Sequence, residues 1–121
     1  MSDSPSGRVV HDASDVVYDA RDRALTVRFP SSFLRMRLAR FVGADLQNNQ
    51  EWWGNAIVAL SVTQIGEVPV MEARNAEQIE STIYKLDDDG MIAIATWLKA
   101  ESEKRSDNMA TAAKNLRSTP N

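Results

Sequence analysis

The stretch from residue 50 to residue 65, Gln-Glu-Trp-Trp-Gly-Asn-Ala-Ile-Val-Ala-Leu-Ser-Val-Thr-Gln-Ile, limits most sharply what this chain can fold into. It holds two of the three tryptophans and the densest apolar run. Trp52, Ala56, Ala59, Leu60 and Thr63 fall at the spacing of one helical face, and Trp53, Ile57 and Gln64 widen it. The spacing predicts a helix that runs to Ile65 and ends at Gly66, packed on more than one side. In a chain of 121 residues, one such element accounts for much of a single modest core. Gly54 lies inside the expected helix, where it costs about 1 kcal/mol relative to Ala, so the sequence predicts close approach of another element there. The paired tryptophans could stack on a base or a sugar. No polar recognition groups recur at neighbouring turns, so core or interface packing is the preferred reading.

The flanks supply the partners for this element. Residues 15–20 and 24–29 read as two strands, the second alternating Leu25, Val27 and Phe29 with Thr26 and Arg28. The polar residues 21–23 join them as a β-hairpin, although no Asn-Gly pair marks the turn. Pro30 stops the second strand, and Ser31 or Ser32 caps a helix over 33–42 that Gly43 ends. Leu34, Leu38, Phe41 and Val42 form its core side, and Arg35, Arg37 and Arg40 project elsewhere. Residues 44–49 read as a polar connector or a first helical turn. Val68 and Val70 flank Pro69, which suits an edge segment or loop. Asn75, with Gln78 three residues on, opens a helix with Ile79, Ile83 and Leu86 on its apolar face. Asp87-Asp88-Asp89-Gly90 reads as a helix–helix turn, and Met91, Ile94, Ala95 and Leu98 as the face of the helix after it. Residues 101–108 carry no apolar side chain, and then Met109, Ala112, Ala113 and Leu116 restore a short helical stripe. That stripe suits a helix docked on a partner or, equally, a frayed tail. The expected fold is therefore α+β: an N-terminal β-hairpin packed on a small bundle of about four helices, with a flexible or helical C-terminal tail. Residues 1–14 read as a flexible arm, 15–100 as the folded domain and 101–121 as a polar tail with a short amphipathic segment.

The same residues exclude several chemistries. There is no cysteine, hence no disulfide framework, thiolate metal site or thiol nucleophile. His11, the one histidine, lies in the polar arm without partners for a metal or a triad. An EF-hand placed with Gly90 at its glycine position would put Lys85 at the first ligand and Thr96 at the last, so the acidic run is no calcium loop. No cofactor, metal or catalytic residue is expected, and an enzyme is the weakest reading. No apolar run approaches the roughly 20 residues of a membrane span, and no signal peptide is visible, so the cytoplasm is the expected location. The net charge of −3 is distributed unevenly: residues 21–40 hold six Arg and one acid, and residues 41–89 hold nine acids against Arg74 and Lys85. Pairing within the fold is the preferred reading of these blocks. Nucleic-acid binding through the arginines is disfavoured by the overall acidity and by the lack of a helix-turn-helix pattern.

The order of elements resembles a known family, the small tail assembly chaperones of long-tailed bacteriophages and prophages. The similarity spans about residues 15–100. It rests on an acidic first strand, the segment Arg23-Ala24-Leu25-Thr26-Val27-Arg28-Phe29-Pro30, and the helix Phe33-Leu34-Arg35-Met36-Arg37-Leu38. A tryptophan-containing helix follows, then Ile65-Gly66-Glu67-Val68-Pro69-Val70 and a helix ending Leu86-Asp87-Asp88-Asp89-Gly90. The resemblance implies a non-enzymatic protein in the host cytoplasm, absent from the mature virion. Such a protein binds the tape measure protein, keeps its apolar helical segments soluble and helps the tail tube (major tail) protein polymerise around it. The partner-binding residues expected on this reading are Met109, Ala112, Ala113 and Leu116 in the tail and Arg35, Arg37 and Arg40 on the basic helix, and self-association is also open. The competing readings are a structural tail completion or connector protein and, more remotely, a small DNA-binding regulator.

Overall fold

The computed structural model describes residues 14–117, the last two by their backbone alone. The arm expected over 1–14, with His11, lies outside the described residues except for Ser14, as do residues 118–121 and the side chain of Leu116. Strands β1 (Asp15–Tyr18) and β2 (Ala24–Val27) form the expected antiparallel hairpin, with Tyr18 opposite Ala24. Asp19 organises the turn between them. Its Oδ1 accepts from the backbone N–H groups of Arg21 and Arg23, each at 2.9 Å. This is how an aspartate side chain stands in for a backbone turn without Asn-Gly, and Asp22 takes the positive φ (62°) that closes it.

Helix α1 (Ser32–Val42) starts where Ser31 Oγ accepts from the Leu34 N–H at 3.2 Å and stops at Gly43, whose φ is 86°. A single turn, α2 (Ala44–Gln47), leads to α3 (Gln50–Leu60), capped by Asn49 Oδ1 accepting from the Trp52 N–H at 3.0 Å. Here the structure departs from the helical period. The helix expected to reach Ile65 ends at Leu60, and Val62–Ile65 is a strand, β3, paired antiparallel to β2. Three of the four residues that follow Ser61 are β-branched (Val62, Thr63, Ile65), which suits a pleated surface. The hairpin also needs a third strand, because two strands alone are marginal in water. Thr63 therefore satisfied the helical spacing by coincidence. Ser61 marks the switch: it is fully buried, and its Oγ donates to the Ile57 carbonyl at 2.9 Å. An irregularity between Thr26 and Val27 brings Val27 opposite Val62. Gly66 (φ 62°) then turns the chain into β4 (Val68–Pro69), the edge strand that Pro69 suits. The sheet order is β1-β2-β3-β4, antiparallel throughout, so the N-terminal hairpin is half of a four-stranded sheet.

Helix α4 (Ala76–Arg117) carries the rest of the chain, and it is broken at Asp87. The expected cap is present: Asn75 Oδ1 accepts from the Gln78 N–H at 2.9 Å, while the Gln78 side chain reaches back to the Arg74 N–H. At Asp87 the backbone takes φ 59° and ψ −175°, so the acidic run is a turn between two helical segments, 76–86 and 88–117. The second segment continues through the expected tail as far as Arg117.

Two buried clusters hold these elements together. Leu25 and Val27 of β2, Val62 of β3 and Leu86 and Ile94 of α4 join the sheet to both segments of the broken helix. Leu38, Ala56, Ala59 and Ile79 join α1, α3 and the first segment of α4, with Trp52 and Trp53 packed beside them. The tryptophans are thus packing groups, and Trp52 Nε1 donates to Glu80 Oε2 at 2.9 Å. The class is α+β, an antiparallel sheet followed by helices.

Candidate functional site

The turn that Asp19 builds also fixes the break in α4. Arg23 Nε donates to Asp19 Oδ2 at 2.7 Å, and its two terminal nitrogens donate to the carbonyls of Lys85 and Leu86 at 3.0 and 2.6 Å. Those are the last carbonyls of the first helical segment, which lack acceptor duty within the helix, so a guanidinium from the hairpin caps it. Beside it, Arg21 Nη2 donates to Asp87 Oδ2 at 2.6 Å and Nε to Asp89 Oδ2 at 3.0 Å. Burial pushes the Asp19 carboxyl up, but the N–H groups of Arg23 and Arg21 and the Arg23 guanidinium outweigh it, leaving the carboxyl below the usual carboxylate range. The Asp88 N–H, then Arg21, lower the Asp87 carboxyl in the same way. Two of the three aspartates are therefore occupied by an arginine. Among the described residues, no group of three or more His, Cys, Asp or Glu is placed to hold a metal ion.

Gly90 completes this joint. A Cβ there would lie 2.9 Å from Leu86 Cδ2 and 3.4 Å from Arg23 Nη2. The close approach expected at Gly54 is found here instead, because Gly54 is exposed and a Cβ on it would meet nothing within 4 Å.

The residues expected to bind a partner fall on two surfaces. Arg35, Arg37 and Arg40 lie on α1, with Arg35 and Arg40 exposed. Arg35 Nη2 donates to Ser32 Oγ at 3.1 Å. Arg37 is paired with Glu72 and lies 5.8 Å from the centroid of the Phe33 ring. Met109, Ala112 and Ala113 lie on the second segment of α4, all exposed, and Leu116 follows at backbone level. The second surface begins close to the root of the first. Arg105 sits 4.2 Å from the centroid of the Phe29 ring, and Phe29, Arg105 and Met109 line one open apolar hollow. Ser102, Arg105, Ser106 and Met109 are spaced i, i+3, i+4, i+7, so the Met109 stripe continues the helix face that meets Phe29.

Two residues outside the expected set stand out. Arg28 lines a cavity of ≈ 210 Å³ between β3 and residues 70–73, and its buried Nε has no hydrogen-bond partner among the described residues. Met71, at the rim of that cavity, is 86% exposed. Alternation in the second strand places Arg28 opposite in phase to Val27. Nothing in the sequence distinguishes it from a solvated strand arginine, because its burial depends on residues 70–73 folding back over β3. A groove of ≈ 460 Å³ also runs between β4 and the first segment of α4, lined by Ile65, Val68, Met71, Thr82 and Lys85. Among the described residues, no helix is long and apolar enough to cross a membrane.

These features define an α+β protein with an arginine-clamped helix joint and exposed apolar and basic helix faces. No family model, no curated protein and no solved structure matched the chain.

Proposed function

We propose that this protein is a tail assembly chaperone of a long-tailed bacteriophage or prophage. It would bind helical, apolar segments of the tape measure protein in the host cytoplasm, keep them soluble while the tail tube protein polymerises, and leave before the virion is complete. One observation carries the reading beyond the resemblance in element order. The second segment of α4 runs on past the core to Arg117, and its side chains from 102 to 115 stand exposed around Met109, which is 73% exposed. An ordered helix that offers an apolar stripe to solvent is suited to pack against partner helices. The test is co-expression with a tape measure protein, sought among the neighbouring genes. The full chain should keep that protein in the soluble fraction, and a chain lacking residues 109–121 should not. A protein found as a stoichiometric part of the finished particle would instead make it a structural tail component.

A further inference from the structure

The geometry points to a docking surface for an acidic amphipathic helix, formed by the outward stripe of α1 together with the Arg28 cavity. This deepens the chaperone reading by naming the chemistry of the segment bound, and in that respect it rests on that reading.

Phe33, Met36, Arg37 and Arg40 are spaced i, i+3, i+4, i+7 and form one stripe of α1, turned away from the buried Leu38. Phe33 and Met36 are 63% and 62% exposed, so two large apolar groups stand in water between cations. There is no acidic residue anywhere in α1. The stripe is continuous with the cavity through actual contacts: Arg37 lies over Phe33 and pairs with Glu72, and Glu72 and Met71 line the cavity that Arg28 enters. Glu72 is the one carboxylate in that lining, and Arg37 already holds it. Arg28 is the cation of that lining and has no carboxylate partner among the described residues, so its charge is open to an incoming carboxylate.

Size and charge choose the occupant. At ≈ 210 Å³ the cavity is below the roughly 300–1,000 Å³ of small-molecule sites and suits a single side chain. Apolar groups interleaved with arginines match a helix that carries leucine-like residues on one face and carboxylates along its flank. A nucleic-acid backbone would use the guanidiniums but leave Phe33 and Met36 without partners, and it would be repelled by the chain's net charge of −3.

The experiment uses the full chain and a fluorescein-labelled synthetic helix with leucines on one face and glutamates flanking it, followed by anisotropy. The peptide should bind, and added salt should weaken it. A peptide with lysines in place of the glutamates should not bind. Arg28→Met, which keeps the apolar stem, should weaken binding about tenfold or more, and Arg40→Glu, on the exposed rim, about threefold with a smaller salt dependence. Arg40→Glu keeps the test decisive should Arg28→Met fail to fold. Equal binding of both peptides, indifference to both substitutions, or tighter binding of a DNA duplex or of anionic vesicles overturns the assignment. Peptide binding without solubilisation of the tape measure protein would remove the chaperone reading and leave the surface standing. Solubilisation without binding of the acidic peptide would do the reverse.

Discussion

Two glycines in helical backbone carry opposite consequences. At Gly54 a methyl group meets nothing within 4 Å, so Gly54→Ala gains helix propensity at no steric cost. Stability should rise by about 0.5–1 kcal/mol. At Gly90 the same methyl group lies 2.9 Å from Leu86 Cδ2 and 3.0 Å from Leu86 Cβ, in the buried joint. Gly90→Ala should lower stability by about 1–3 kcal/mol despite its better propensity. Urea denaturation with an unchanged slope separates the two. Asp19 is the other decisive residue. Its folded carboxyl is held below its unfolded value, so the stability it adds is present above the ordinary carboxylate pKa of about 3.9 and lost as pH falls through the lower folded value. Asp19→Asn should cost about 2–3 kcal/mol at neutral pH by freeing Arg23 from its partner. It should also flatten the decline in stability between neutral pH and strong acid, measured as urea midpoints across that range.

Between elements, the break in α4 is the informative feature. Asp87 at φ 59° and ψ −175° occupies a region that essentially only glycine enters without strain, at about 1–3 kcal/mol for other residues. It persists because the β1–β2 turn holds both sides of the joint, Arg23 on the carbonyls of Lys85 and Leu86 and Arg21 on Asp87 and Asp89. The usual helix order should therefore invert here. In a regular helix Ala is favoured over Gly by about 1 kcal/mol, whereas Asp87→Gly should be more stable than Asp87→Ala by about 1–2 kcal/mol. Equal or reversed stabilities by chemical denaturation would mean that the two segments run on as one helix. The α3–β3 junction makes a related point. Leu60 and Val62 are adjacent to a single buried serine, yet one closes a helix and the other opens a strand, because β2 offers Val62 a ladder partner in Val27.

For the whole molecule, the two clusters tie residues 17–98 together, and beyond Glu101 Arg105 lies over Phe29. That contact is worth about 0.5–1 kcal/mol, so a chain stopped after Glu101 should lose no more than about 1–2 kcal/mol in urea unfolding while losing partner solubilisation. A larger loss of stability would make the tail helix part of the core. The sequence by itself determined the α+β class, a serine cap at 31 or 32, the cap at Asn75, the stop at Gly43 and the turn in the acidic run. Each of these is written in side-chain chemistry within a few residues of where it acts. It also located the apolar stripe at Met109, although not that the stripe begins beside Phe29. Only the tertiary structure decided that residues 62–65 are a strand, that Gly90 is the glycine required by close packing, and that Arg21, Arg23 and Arg28 have three different roles. The arginines sit in one short stretch and look alike in sequence. Their roles come from what the distant chain brings to them: helix carbonyls, aspartates, or a cavity wall that leaves a buried Nε without an acceptor. Strand pairing is likewise a bargain between segments far apart, so a helical period of a few residues could not reveal that β2 would claim residues 62–65.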